Sequence, residues 1–283
     1  MAAQPLGEQR MLPTRDGRSM RALVAGDGSD LVVLEAGLGS GADAWARVVP
    51  LLAGAVTVVA YDRAGYGGSD PASDPRELAH LADDLGAVLD AVAHQRAVLV
   101  GHSWGGPIVR TLAARRAADG RLAGIVLVDQ SDEHAALYFS PLVRAQAAVQ
   151  RALYEPLARM RLLAPLVRAT LRELPEPHRS GAVAATSTLT AARAMRAEDA
   201  QVTAELARLR ERPLELGELP VRVLSGRRAG RLDRSIRDAM TAAHRATVAT
   251  LPGGRLVEAT RSGHLVPITE PELVAAEALD LLR

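Results

Sequence analysis

Ser103 lies in VLVGHSWGGPIVR (residues 98–110), where an apolar run meets glycine, serine and glycine and then apolar residues at helical spacing. The G-x-S-x-G spacing from Gly101 to Gly105 lets the chain turn so tightly that the serine is thrust out at a strand-to-helix corner. A hydroxyl presented in this way suits nucleophilic attack on a carbonyl, provided an imidazole takes its proton. EATRSGHLVPITEPELV (residues 258–274) supplies His264, placed after the last apolar run, behind Ser262-Gly263 and before a closing helix. The other six histidines fit less well. His80 and His94 lie on or beside a helix, His134, His178 and His244 in or near variable helical segments, and His102 in the corner itself.

An imidazole base needs a carboxylate to hold its tautomer and stabilise the imidazolium that forms. Asp129, ending IVLVD at a strand's carboxyl edge, is the leading candidate. Asp233 is the alternative, further along RRAGRLD after the strand PVRVLSG, and Asp132 is a third. Acyl transfer also puts negative charge on the former carbonyl oxygen, and each aimed backbone N–H is worth about 3 kcal/mol there. Trp104, the residue after the serine, is one expected donor. Leu38, in GLGSG after the strand LVVLEAG, is the other.

These residues need a scaffold. Apolar runs at residues 31–37, 55–62, 97–101, 123–129, 220–226 and 254–260 are continuous rather than alternating, as in strands buried on both faces. Helical patterns lie between several of them, at residues 75–93, 107–118 and 271–282. This alternation predicts a parallel sheet covered by helices. A hairpin turning at Asp16-Gly17 precedes it. The alternation breaks over residues 133–216, which are helical in pattern and punctuated by prolines 141, 156, 165, 175 and 177. That segment reads as a lid inserted between two strands, with core residues 1–132 and 217–283 on either side. Tyr138, Phe139 and Tyr154 are its candidates for shaping an apolar pocket.

Composition removes other chemistries. The 283 residues are 48% hydrophobic with a net charge of +1, so there is no basic field for nucleic acid. The lid carries twelve arginines to nine acids. A membrane contact is the less favoured reading of that excess, beside a solvated outer face. No cysteine and no lysine means no disulfide, thiolate or Schiff-base chemistry. No histidine or acid pair has ligand spacing, so neither metal nor cofactor is expected. Gly37, Gly39 and Gly41 after a strand weakly suggest a dinucleotide site, which would leave Ser103 and His264 unexplained. Without a signal-like N-terminus or an apolar run of spanning length, a cytoplasmic location is the default expectation. The sequence does not fix an oligomeric state.

EAGLGSGADAW, YDRAGYGGSD, VGHSWGG and SGHLVPITEPELV, in that order, resemble the α/β-hydrolase superfamily, specifically bacterial serine hydrolases with a helical cap. The resemblance covers residues 30–132 and 217–283. It implies an α/β-hydrolase fold: a mostly parallel central sheet flanked by helices, with a helical cap insertion. It also implies Ser103 as nucleophile, His264 as base, and Leu38 with Trp104 as oxyanion donors. Dehalogenase-like members that place the acid after the sixth strand favour Asp129. Two departures stand out: Ala36-Gly37 replaces the usual histidine-glycine, and the usual acid after the seventh strand is missing. Asp62 and Arg63 read as loop-tying residues rather than catalytic ones.

The expected activity is hydrolysis of an ester-like acyl bond in a small, largely apolar substrate, of the carboxylesterase kind. It should rise with pH through the imidazole's ordinary pKa of about 6.5. Serine at the corner argues against dehalogenase or epoxide-hydrolase chemistry, which forms an alkyl ester on a carboxylate. Thioester, C–C bond or perhydrolase chemistry on the same residues, and non-catalytic ligand binding on the same fold, are the alternatives.

Overall fold

A computed structural model of the chain describes residues 6–230 and 233–283. Among these, eight strands form one sheet: β1 (Glu8–Pro13), β2 (Ser19–Ala25), β3 (Leu31–Glu35), β4 (Thr57–Tyr61), β5 (Ala97–His102), β6 (Leu122–Val128), β7 (Val221–Gly226) and β8 (Gly254–Ala259). Their spatial order is β1-β2-β4-β3-β5-β6-β7-β8. β1 and β2 form the expected hairpin, with Gly17 at φ +85° in its turn. β2 joins β4 antiparallel, and every pairing from β4 onward is parallel.

The continuous apolar runs have a direct cause. β3, β4 and β5 are buried along their whole length because helices cover both faces. Successive side chains point to opposite layers. Val33, Val59, Leu99 and Leu127 pack beneath α2 (Leu78–Asp90) and α3 (Gly105–Arg116). Val32, Val58, Val100 and Val126 face the opposite layer, formed by α1 (Val49–Leu52), α9 (Val266–Thr269) and α10 (Pro271–Asp280). β8 departs from the expectation of full burial, since it is an edge strand and Arg255 and Glu258 are exposed.

Four helices occupy the interval between β6 and β7: α4 (Pro141–Arg159), α5 (Leu163–Thr170), α6 (His178–Thr186) and α7 (Leu189–Glu211). α4 packs along α7, while α6 reaches back to the loop after β3. α8 (Arg234–Ala249) lies between β7 and β8 and is absent from the helical patterns read in the sequence. Its buried stripe of Met240, Thr241, Ala243, His244 and Thr247 is too small and polar to register as an apolar face. None of the helices among the described residues is long and apolar enough to cross a membrane.

Candidate active site

The corner at Ser103 is built by close backbone approach. A Cβ on Gly101 would fall 2.4 Å from the Gly105 carbonyl oxygen, and one on Gly105 would fall 2.4 Å from that of Glu35. Only glycine fits at either position. Ser103 itself takes φ +53°, in the left-handed region that costs a side-chain-bearing residue of order 1–3 kcal/mol. The neighbouring strand end holds it there: its N–H donates to the Val128 carbonyl at 3.0 Å, and its own carbonyl accepts from Ser131 N–H at 2.9 Å. The hydroxyl has no hydrogen-bond partner among the described residues and faces a cavity.

His264 and His102 line that cavity beside Ser103. The His264 ring is half exposed, and its Nδ1 lies 2.7 Å from Asp129 Oδ2. Burial resists ionisation of Asp129, but the hydrogen bond from His264 and the charges of His264 and Arg237 hold its carboxyl well below the ordinary range. An ionised carboxylate only accepts, so Nδ1 carries a proton, and in the neutral imidazole Nε2 then keeps a free lone pair. Nε2 makes no hydrogen bond to Ser103 Oγ, and catalytic bonds of this kind commonly tighten only with substrate. His102, its ring centroid 4.8 Å from that of His264, donates Nε2–H to the His264 carbonyl at 2.9 Å. Burial, with His264 alongside, pushes His102 down to about 3, so it is a neutral donor that anchors the loop carrying His264.

The three candidate acids lie in different places. Asp129 is fully buried at φ +41° directly after β6, in contact with the imidazole. Asp132 is buried too, but accepts from Gln130, Thr247 and the His134 N–H. Asp233 is exposed at the start of α8 and makes no hydrogen bond to His264. Arg237 is the residue the sequence reading missed. Its NH1 donates to both Asp129 oxygens, at 2.8 and 2.7 Å, while Gly226 N–H donates to Oδ1 at 2.9 Å. Its signal was the spacing of Arg237, Met240, His244 and Thr247 along one helix face.

On the other side of Ser103, Leu38 lines the cavity in the loop after β3, and Trp104 opens α3. Neither backbone N–H has an acceptor among the described residues. Arg63 holds this loop. Its buried guanidinium donates to the Ala36 and Gly37 carbonyls at 2.5 and 2.8 Å, to Glu35 at 2.6 Å and to Glu198 of α7 at 2.8 and 3.1 Å. Asp62 ties down a separate stretch, accepting from Arg21 at 2.6 Å and from the Ala42 N–H at 2.9 Å.

The cavity has a volume of about 790 Å³. That is near the top of the range of about 300–1,000 Å³ common for small-molecule sites. α4 and α5 supply much of its apolar wall, including Leu153, Leu157, Leu163 and Leu166, with Met195 from α7. No Asp, Glu or Arg lines it among the described residues. Tyr154 belongs to the wall, but Tyr138 and Phe139 do not, contrary to expectation. The Tyr138 hydroxyl donates to Ser131, and Phe139 stacks under Arg210.

A sequence model of the Alpha/beta hydrolase family matches residues 31–277. The chain is 37% identical over 98 residues to "Putative carbamate hydrolase RutD" of Azorhizobium caulinodans, covering 35% of this chain and 36% of that protein. It is 38% identical over 105 residues to Epoxide hydrolase A of Mycobacterium tuberculosis, covering 36% and 32% respectively. It thus spans about a third of the length of these relatives. A solved hydrolase from Pseudomonas aeruginosa PA01 superposes with a TM-score of 0.68 at 24% identity, covering 98% of each chain, a likeness of fold. With the sheet order and helical layers in place, and the family pattern running through the strands that present Ser103 and His264, this chain belongs to the alpha/beta hydrolase family.

Proposed function

We propose that the protein is a serine hydrolase that cleaves an ester-like acyl bond of an uncharged, largely apolar substrate through an acyl-enzyme on Ser103. The observation that carries this reading is the 2.7 Å contact between His264 and an ionised Asp129. In the neutral imidazole it leaves the lone pair on Nε2, in the cavity that the Ser103 hydroxyl also faces. Ser103 Oγ attacks the carbonyl carbon as its proton passes to Nε2, and the Leu38 and Trp104 N–H groups receive the oxyanion. The tetrahedral adduct collapses, the leaving alkoxide takes the proton from Nε2, and a water activated by the same nitrogen then releases the acid.

Relatives named as epoxide hydrolases do not transfer their reaction to this chain. A carboxylate nucleophile opens an epoxide to give an alkyl ester, whereas an alcohol attacking an acyl carbon gives an acyl ester. With Ser103 at the corner, the second chemistry follows. The wall favours substrates whose buried part is neutral, because an unpaired charge brought among these leucines would lose its hydration without compensation.

The test is p-nitrophenyl esters of graded chain length, run beside labelling with a fluorophosphonate. The expected result is turnover that improves from acetyl to medium-length chains, with stoichiometric labelling, and loss of both in Ser103→Ala by about 10⁴-fold or more. Full turnover by the alanine variant would end the reading.

A further inference from the structure

Asp129 does not serve His264 alone, since Oδ2 accepts from Arg237 at 2.7 Å as well as from His264 at 2.7 Å. Oδ1 accepts from the same guanidinium at 2.8 Å and from Gly226. Arg237 has only 11% of its side chain exposed, and Asp129 is the one hydrogen-bond partner of its guanidinium among the described residues. The carboxylate that would stabilise a protonated imidazole is therefore neutralised by a permanent cation.

We infer that Arg237 is a positioning residue that sets the proton affinity of His264 through Asp129, keeping the imidazole neutral at lower pH than an unshared carboxylate would. A carboxylate in contact favours the charged imidazole, and a cation on that carboxylate opposes it. The other groups around the ring do not replace this effect. His102 at the end of β5 is neutral, and His244 of α8 donates Nε2–H to the Gln130 carbonyl at 3.0 Å. Arg228, in the loop after β7, meets this loop through its backbone N–H on Ser262. Arg261 turns away to Glu270. Arg237 is thus the charge whose side chain is bonded to the acid on the base.

The geometry also favours a charge effect over simple bracing. Asp129 keeps the Gly226 N–H when Arg237 is removed, so its carboxylate retains a second anchor beside the imidazole. The consequence for turnover rests on the proposed serine-hydrolase reading. The titration itself does not, and so the two can fail separately.

The experiment follows the imidazole C–H resonances of His264 by NMR across pH 4 to 9, assigned with a His264→Gln control. Wild type is compared with Arg237→Gln, Arg237→Met and Arg237→Lys. In the neutral variants the His264 midpoint should rise by about one pH unit, a tenfold change in proton affinity. Lysine, which keeps the charge, should leave it within about 0.3 unit. Gln retains a donor to Asp129 and Met does not, so either folded neutral variant suffices. A midpoint that stays put or falls in the neutral variants, or rises equally in the lysine variant, overturns the inference. With an ester substrate, the acid limb of kcat/KM should move with the resonance.

Discussion

The two flanks of Ser103 each hold a buried arginine on carboxylates, and the two arginines do different work. On the proposed oxyanion flank, Arg63 is enclosed by Glu35, Glu198 and two loop carbonyls, so every donor direction is filled by a fixed acceptor. On the proposed base flank, Arg237 shares one carboxylate with an imidazole that changes charge in the proposed mechanism. The first arrangement is a bolt: it fixes where a backbone N–H points and joins the sheet to α7. The second is a counterweight, because anything that alters Asp129 is felt by the base. What separates the two roles is whether the carboxylate also touches an imidazole.

The largest effect expected from this contrast is at Asp129. An asparagine there would present an amide in place of an acceptor carboxylate and leave Arg237 without a counter-charge. By the proposed mechanism, kcat should fall by about 10³–10⁴-fold as the imidazole loses its tautomer. Stability should change with a definite sign. The native Asp129 carboxyl lies below its unfolded value, so its stabilising contribution is complete above about pH 4 and is lost as pH falls toward the native value. Urea titrations should show wild type losing stability below pH 4 more steeply than Asp129→Asn. Parallel curves would remove Asp129 from the base flank's electrostatics.

Next in size is the bolt. Arg63→Met would leave Glu35 buried without a cation and Glu198 with only Arg76, 4.0 Å away, and breaking a buried pair in this way costs about 3–5 kcal/mol. Burial already raises the Glu35 carboxyl against the pull of Arg63 and the Tyr61 hydroxyl. Losing the guanidinium would therefore make Glu35 take up a proton. Glu198→Gln, which keeps an acceptor but removes one charge, should cost about 1–3 kcal/mol. Both are read from urea midpoints. If Arg63→Met unfolded at the wild-type midpoint, the two flanks would not differ as described.

The sequence makes the sheet and the serine corner legible because both are local. Apolar runs such as Val98–Leu99–Val100 and the glycines around Ser103 carry their reasons within a few residues. The proposed acid is not local: Asp129 is 135 residues from His264 and 108 from Arg237, and a strand-end aspartate looks the same whether it caps a turn or holds an imidazole. Arg63 is similar. YDRAGYGGSD marks it as a loop residue, but Glu198 lies 135 residues away on α7, within a segment whose helices are recognisable while their packing partners are not. The apolar wall depends on the same packing. Tyr154 faces the cavity and Tyr138 does not, a difference set by where α4 settles.

The smallest effect sharpens the comparison most, because it concerns the other acid the sequence offers. Asp233 stands at the N-terminus of α8, exposed, with no side-chain cap hydrogen bond. Its role there is charge near a helix N-terminus, worth about 0.3–1 kcal/mol at an exposed site. Asp233→Asn keeps a good N-cap side chain and removes only that charge. Its kcat/KM on an ester should stay within about twofold of wild type, and its urea midpoint should barely move. A loss approaching that of Asp129→Asn would mean that the loop after β7 swings its carboxylate onto His264 during turnover. Arg237 would then be freed from the base, and the base flank would have no counterweight at all.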